Sequence, residues 1–184
     1  MNENGIFQLG SFQVKPGERV SGFLSLGEGE FQLPVTILNG EEPGKTVLIT
    51  AGIHAEEYVG IQAAIELADR LKTEKIAGTV VIVKVINREA FEKRSGSFGY
   101  EDGKNLNRVF PGNPKGTQME RLAWGIEKEL FPVADYYIDL HSGDSYEQLA
   151  PYVYYAGQAS EETVKISREM AQQVDVPYMV CSTV

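Results

Sequence analysis

The two histidines are the most chemically informative residues of this chain, because it contains no others. His54 follows the apolar run Val47–Ala51, and His141 follows the apolar run Tyr136–Ile138. Glu57 stands three residues after His54, so the two side chains share one face if a helix begins there. Two imidazoles and one carboxylate, with a fourth position left to water, form the ligand set of a catalytic zinc ion.

The carboxylate of this set has two candidates, because Glu56 and Glu57 are neighbours. We prefer Glu57, since residues three apart on a helix face each other and residues two apart do not. A glutamate three residues after a histidine is common, and a helix start favours acidic residues whatever its function. The second histidine, behind another apolar run, is what favours a metal site. Cobalt or nickel would suit the same ligands, because selectivity depends on geometry and supply.

Alternating strands and helices must position these residues. The apolar and β-branched pattern predicts strands over Gly5–Val14, Arg19–Leu26, Phe31–Leu38, Val47–Ile53, Thr79–Ile86, Ala134–Leu140, Tyr152–Tyr155 and Pro177–Val184. Helical spacing of apolar residues predicts helices over Glu57–Lys72, Thr117–Leu130 and Ser160–Val174. We therefore predict an α/β fold with a mixed, mostly parallel sheet and helices on both faces. Residues 1–40 are expected to form a β-rich N-terminal segment, and residues 41–184 the α/β catalytic domain.

A long irregular stretch, Asn87–Gly116, separates two of the predicted elements and is rich in glycine and proline. A loop of this length inside a compact domain is usually functional. Asn107 and Arg108 offer an amide beside a guanidinium fork, a combination that suits recognition of a carboxylate. Arg94 would stabilise an oxyanion if it lay beside a polarised carbonyl. Taken one by one, these side chains are more typical of a solvated loop.

Composition narrows the classes of function. The hydrophobic share of 42% and the charged share of 23% are those of an ordinary folded protein. A net charge of -9 without a cluster of lysine and arginine argues against nucleic acid and anionic membranes as partners. No apolar run approaches the roughly 20 residues of a membrane span, and residues 1–5 show no signal-peptide pattern. The lone Cys181 fits a reducing compartment, so we expect a cytoplasmic protein.

Four segments, in order along the chain, resemble the succinylglutamate desuccinylase/aspartoacylase branch of the zinc carboxypeptidase superfamily. Gly52–Gly60 is similar to that branch's G-x-H-G-x-E-x-x-G pattern. Asn87–Phe91, then Arg94 and Asp102–Gly112, resemble its N-x-x-A-F, R and D-G-x-N-L-N-R-x-F-P-G stretch. Asp139–Gly143 matches its D-L-H-[ST]-G pattern. The Asn-Leu-Asn-Arg stretch makes the resemblance specific, whereas H-x-x-E alone does not.

The resemblance implies one zinc ion held by His54, Glu57 and His141. It also implies that Asn107 and Arg108 bind a substrate carboxylate and that Arg94 polarises the scissile carbonyl. The implied activity is hydrolysis of an amide bond in an N-acyl amino acid or a similar small carboxylate substrate. A metallocarboxypeptidase acting on short peptides is the first alternative, because the same zinc set serves both reactions. The oligomeric state is left open.

Two departures from the family pattern bear on activity. Ala55 replaces the usual glycine after the first histidine, which is a mild change. Family members also use a catalytic glutamate far downstream of the last ligand, and no segment after Ala150 has that context. We therefore expect the base to lie beyond Val184, in a longer protein of which this chain is a piece. A catalytically inactive zinc- or carboxylate-binding domain is the second alternative, and Glu147 is the first candidate for a base within the chain.

Overall fold

The computed structural model describes residues 5–183, so the expectations for residues 1–4 and Val184 lie outside the described residues. Its strands are β1 Phe7–Leu9, β2 Phe12–Val14, β3 Arg19–Leu26, β4 Phe31–Asn39, β5 Glu42–Ala51, β6 Ala77–Val83, β7 Tyr136–Leu140, β8 Tyr152–Ala156 and β9 Tyr178–Ser182. Its α-helices are α1 Tyr58–Arg70, α2 Arg88–Lys93, α3 Gln118–Gly125 and α4 Glu161–Ala171. The chain divides into two compact units, between Glu147 and Gln148.

The first unit is built around a five-stranded sheet with the order β3-β4-β6-β5-β7. The β3/β4 and β4/β6 pairs are antiparallel, whereas β5 pairs in parallel with both β6 and β7. The predicted mixed α/β fold is therefore confirmed. Strands β3 and β4 lie within this sheet, so the boundary expected at residue 40 does not coincide with the division between the two units.

Helices cover both faces of the sheet, as the continuous apolar strands predict. On one face, α1 contributes Ile61, Ala64 and Ala68 to a buried cluster that includes Ile49 of β5 and Ile82 of β6. On the other face, α3 packs against the alternate side chains of the same strands. That second cluster includes Leu33, Val35, Leu48, Val81, Met119, Leu122 and Ile126. The two cores together hold β5 and β6 rigidly between layers.

The loop between β5 and α1 turns sharply, and two glycines make this turn possible. Gly52 has a positive φ of 68°, a conformation that residues with a side chain rarely adopt. Gly60, in the first turn of α1, would bring a Cβ within 3.0 Å of the carbonyl oxygen of Leu140. The helix therefore begins directly against the end of β7, which brings residues 52–57 next to His141.

The strand predicted over Ala134–Leu140 forms at Tyr136–Leu140, and it is only partly buried. Tyr137 and Ile138 keep 39% and 38% of their surface exposed. The reason is the position of β7 in the sheet, because it pairs with β5 on one side and stands at the sheet edge among the described residues. Strand β5 also begins earlier than the predicted Val47, at Glu42.

The irregular stretch Asn87–Gly116 contains more structure than its composition suggests. Helix α2 occupies its beginning, and a 3-10 turn forms at Leu106–Arg108. The helix predicted over Thr117–Leu130 is α3 followed by a π-helical segment, Ile126–Leu130. The predicted functional loop is thus a set of short ordered elements rather than one flexible segment.

The second unit is a strand–helix–strand motif. Strands β8 and β9 pair in parallel, with Tyr152 opposite Tyr178. Helix α4 connects them, and the Ser160 side chain caps its start by accepting a hydrogen bond from the Thr163 backbone N–H at 3.2 Å. Serine is a favoured N-cap residue, because its hydroxyl oxygen accepts from a backbone N–H of the first helical turn. Cys181, on β9, is exposed and is the chain's single cysteine.

None of the helices in the described part of the chain has the length and apolar character that crossing a membrane requires.

Candidate metal centre

The carboxyl ends of β5 and β7 bring the two histidines together. In the parallel pairing of these strands Ala51 lies opposite Leu140, so the segments that follow both strands leave the same edge of the sheet. His54 follows β5 and His141 follows β7 directly. Their ring centroids are 5.2 Å apart.

The buried carboxylate of Glu57 lies between the two imidazoles. His54 Nδ1 is 2.8 Å from Glu57 Oε1, and His141 Nδ1 is 2.9 Å from Glu57 Oε2. The backbone N–H of Ser142 donates a third hydrogen bond to Oε2, at 3.0 Å. One ligand atom from each of His54, Glu57 and His141 lies within 4.8 Å of the other two. Glu57, and not Glu56, therefore faces both histidines.

The outer nitrogens of the histidines have acceptors that fix their tautomers. His141 Nε2 donates to Asp139 Oδ2 at 2.8 Å. His54 Nε2 lies 3.2 Å from Asn105 Oδ1, and this oxygen also accepts from the backbone N–H of Asn107 at 2.8 Å. Because both outer partners are acceptors, each Nε2 carries a hydrogen and each Nδ1 is left to face Glu57.

The charges of the cluster shift the pKa of all three groups. Burial alone would raise the pKa of Glu57, but hydrogen bonds from His141 and His54 outweigh it and lower the pKa to about 2. The hydrogen bond to Asp139, followed by that to Glu57, raises the pKa of His141 to about 10. The hydrogen bond to Glu57 raises the pKa of His54. Without a metal these shifts favour an ionised Glu57 and a protonated His141, and they favour the protonated form of His54 in the same direction.

This donor set fits a zinc ion. Two imidazole nitrogens and a carboxylate oxygen converge from three positions, and the tautomers aim both Nδ1 lone pairs at the shared space once the protons leave. Zinc is held by such sets, and its histidine ligands usually donate their second N–H to a carboxylate or another oxygen, as both histidines do here. The residues that the sequence predicts as ligands are therefore the ones that the fold brings together.

Behind His141 a short chain of hydroxyl groups extends into the sheet. Thr50 Oγ1 donates to Asp139 Oδ1 at 2.6 Å, and the Tyr137 hydroxyl lies 2.9 Å from the same Thr50 oxygen. Burial, and then the charge of Asp139, raises the pKa of Tyr137, so it stays a neutral phenol. The sequence does not predict these roles for Asn105, Asp139 and Thr50, although Asn105 and Asp139 stand inside the segments that resemble the family.

The other predicted site residues lie on the surrounding loops. Arg94 ends α2 in a left-handed conformation, with φ 54°, and its side chain is exposed. It lines an open cavity of about 430 Å³ together with Tyr58, Phe91 and Glu92. In the described part of the chain, no hydrogen bond or ion pair joins the Arg94 side chain to the three candidate ligands. Its place beside the carbonyl of a substrate remains a prediction.

The predicted carboxylate-binding pair is exposed and points to no acidic partner. Within the described residues, Arg108 Nη1 donates only to the backbone oxygen of Asn107, at 2.9 Å. The segment that carries this pair is anchored to the start of α3 through Asp102. The Asp102 carboxylate accepts hydrogen bonds from the backbone N–H groups of Met119 at 2.9 Å and Lys104 at 3.1 Å. Two exposed donors on an anchored loop are available to an anionic ligand.

Comparison with known proteins agrees with this geometry. The family model for the succinylglutamate desuccinylase/aspartoacylase catalytic domain matches residues 43–183. This chain belongs to that family. The resemblance found in the four sequence segments is thereby confirmed, as is the zinc carboxypeptidase-like fold that goes with it.

Individual relatives agree with the family assignment. The chain is 35% identical over 154 residues to an N-alpha-acetyl-L-2,4-diaminobutyric acid deacetylase of Halomonas elongata, covering 83% of this chain and 44% of that protein. A succinylglutamate desuccinylase/aspartoacylase of Rhodobacter sphaeroides superposes with a TM-score of 0.81 at 26% identity, over 94% of this chain and 55% of that one. The product-bound ectoine utilization protein EutE of Ruegeria pomeroyi gives 0.80 at 29% identity, over 97% and 56%. The chain thus spans about half the length of these relatives.

Asp139 offers a direct test of the outer contacts. We expect Asp139→Asn to lower zinc affinity about 10-fold or more, because the carboxylate that orients His141 and makes it a stronger donor is lost. Competition with a chromophoric zinc chelator measures the change. Asp135→Asn is the matched control, since Asp135 pairs with Lys45 at the other end of the same strand segment, at 2.9 Å. Equal affinities for wild type and Asp139→Asn would contradict this role.

Zinc affinity should also depend on pH in a defined direction. The raised pKa of His141, about 10, means that its proton is still bound at neutral pH, so a metal ion must displace it. Affinity should therefore rise with pH, by about one decade per pH unit for each proton displaced. The same competition assay at several pH values below that pKa measures the slope. A flat profile would show that these histidines are not the ligands.

Proposed function

We propose that this chain carries the metal-binding part of a zinc-dependent hydrolase that cleaves the amide bond of an N-acyl amino acid. The observation that carries the proposal is the cluster of His54 Nδ1, His141 Nδ1 and the Glu57 carboxylate within 4.8 Å of one another, at the carboxyl edge of the sheet. The family and the deacetylase relative support the reaction class. The substrate is a small molecule with a free carboxylate.

His54, Glu57 and His141 would hold the zinc ion in this proposal. A zinc ion bound there supplies Lewis acidity, which polarises a carbonyl group and lowers the pKa of water. The chain's own contribution is to keep the imidazoles in the required tautomer through Asn105 and Asp139. The His141 side chain is partly exposed, whereas that of Glu57 is buried. The candidate centre is therefore open to solvent on the side of His141.

Asn107 and Arg108 bind the substrate carboxylate in this proposal. A guanidinium and an amide on an anchored loop fix the position of the substrate, and the binding energy is used for orientation. Arg94 lies in a cavity next to Tyr58, which directly follows Glu57 in sequence. Its positive charge would stabilise the negative charge that develops on the carbonyl oxygen during attack.

One relative and the family model favour a deacylase over a peptidase. The Halomonas protein is named a deacetylase of an amino acid, and the family model bears the names of enzymes that remove acyl groups. A carboxypeptidase acting on short peptides would use the same ligands, and a substrate comparison separates the two. We place the activity in the cytoplasm, which the single cysteine supports.

Zinc titration and an activity assay test the proposal together. Calorimetry on the metal-free 184-residue chain should show one zinc site, which Glu57→Gln weakens strongly and the exposed control Glu74→Gln leaves unchanged. Absence of zinc binding by the folded wild type would refute the proposal. Hydrolysis of N-acetyl amino acids should be detectable but slow, since general acid–base assistance typically contributes about 10²–10⁴-fold.

We expect this slow rate because the carboxylates of the nearby Glu56 and Glu147 already accept hydrogen bonds. The Glu56 carboxylate accepts hydrogen bonds from Ser97 and Ser145, and the Glu147 carboxylate accepts one from the Asp144 backbone N–H at 3.4 Å. Fast turnover by this chain would instead mean that a base lies within it, and Glu147→Gln would then be the first variant to assay. Cleavage of peptides in preference to N-acetyl amino acids would favour the carboxypeptidase alternative.

The carboxylate-binding pair gives a further prediction. With zinc bound, Arg108→Ala should weaken binding of an N-acetyl amino acid by about 1.5–3 kcal/mol, the typical contribution of a hydrogen bond to a charged group. The amidated analogue of the same ligand should bind wild type and variant alike. Arg70→Ala, an exposed arginine on α1, is the matched control. If Arg108→Ala binds both ligands more weakly by the same factor, Arg108 has a structural role and does not bind the substrate carboxylate.

A further inference from the structure

Glu56 is adjacent to a candidate zinc ligand, yet its side chain is used elsewhere. Its Oε1 accepts a hydrogen bond from Ser97 Oγ at 3.1 Å, and its Oε2 accepts one from Ser145 Oγ at 3.2 Å. These two serines stand on different loops, 41 and 89 residues away along the chain. One carboxylate therefore joins three segments that are remote in sequence.

Each of the joined segments carries a predicted site residue. The β5–α1 loop contains Glu56 itself, between His54 and the ligand Glu57. Ser97 lies three residues after Arg94, and Ser145 lies four residues after His141. We propose that Glu56 is a positioning residue that ties the loop of Arg94 and the loop of His141 to the loop that holds the first two zinc ligands. The consequence of this role for catalysis rests on the proposed function. The hydrogen-bonded connection of the three loops through Glu56, called the tie below, does not.

The backbone next to Ser97 has a conformation that accommodates the Glu56 carboxylate. Ser97 is buried, with 9% of its surface exposed. The residue before it, Gly96, has a positive φ of 76°, and a Cβ built there would come within 3.0 Å of Glu56 Oε1. The backbone at Gly96 thus leaves space for the carboxylate that a side chain would fill.

The hydroxyl proton of Ser97 has two possible acceptors. Its Oγ lies 3.2 Å from Asp144 Oδ1 as well as 3.1 Å from Glu56 Oε1, and one hydroxyl donates only one proton at a time. Asp144 belongs to the same loop as Ser145, so Ser97 connects the two outer loops whichever acceptor it uses. Ser145 supplies Glu56 with a second donor, which keeps the tie to the His141 loop.

The tie can be tested without zinc by amide hydrogen exchange on the metal-free chain. In Glu56→Ala, the peptides covering residues 94–98 and 141–145 should both exchange about 10-fold faster, because both loops lose their link and open more often. Glu56→Gln should stay close to wild type, since an amide can accept from one serine and donate to the other. Ser145→Ala should speed exchange in residues 141–145 alone, and the exposed control Glu74→Ala should change neither segment.

Zinc affinity then tests the consequence for the site. Glu56→Ala and Ser145→Ala should each bind zinc about 10-fold more weakly than wild type, the scale typical of losing an outer contact, and Glu56→Gln should restore most of the affinity. Unchanged exchange in both segments of Glu56→Ala would overturn the tie. If wild type binds zinc, unchanged zinc affinity in Glu56→Ala would overturn the positioning role. If wild type binds no zinc, the proposed function fails, and the exchange data alone decide on the tie. Ser145→Ala keeps the test decisive if Glu56→Ala does not fold, because it removes only one exposed hydroxyl.

Discussion

The buried charge of Glu57 is the constraint on which the arrangement of the site depends. Removing a carboxylate from water costs several kcal/mol unless charged and polar partners replace the water. Here the partners are His54, His141 and the backbone N–H of Ser142. Two of them follow β7 and one follows β5, so the charge is tolerated only while these parallel strands keep their register. The same requirement makes the close approach of α1 to the end of β7, at Gly60, necessary.

The outer nitrogens of the two histidines have different hydrogen-bond acceptors, so the two candidate ligands are not equivalent. Asp139 supports His141 with a full negative charge, whereas Asn105 supports His54 with a neutral amide oxygen. A charged acceptor makes the imidazole a stronger donor, so His141 would be the tighter ligand of the two. Asn105 also accepts from the backbone of Asn107, so one oxygen connects the orientation of a metal ligand with the segment that offers the carboxylate-binding pair.

Loops hold most of the candidate site, and they are held by polar contacts as well as by buried apolar side chains such as Ile53 and Leu106. Asp102 fixes the Asn105–Arg108 segment to the start of α3, and Glu56 joins the segments that carry Arg94 and His141. Such ties let exposed side chains keep defined positions while their functional groups face solvent and substrate. The rigid part, β5 and β6 between two apolar layers, supplies only the edge from which these loops leave.

Most strands and helices, the pairing of His54 with Glu57 and the family segments follow from the sequence alone, because periodicity, short spacings and motifs are local properties. Helix α1, for example, lies within two residues of its predicted ends. Helix α2, inside the stretch predicted as irregular, is an exception. Other features required the tertiary structure: the partly exposed edge position of β7, the turn of Glu56 away from the metal centre, and the support of the histidines by Asn105, Asp139 and Thr50. Asn105 reaches His54 across 51 residues, and Thr50 reaches Asp139 across 89. The register of β5 with β7 places Thr50 opposite Asp139, and the path of the segment between β6 and α3 brings Asn105 to His54. No local pattern encodes either arrangement.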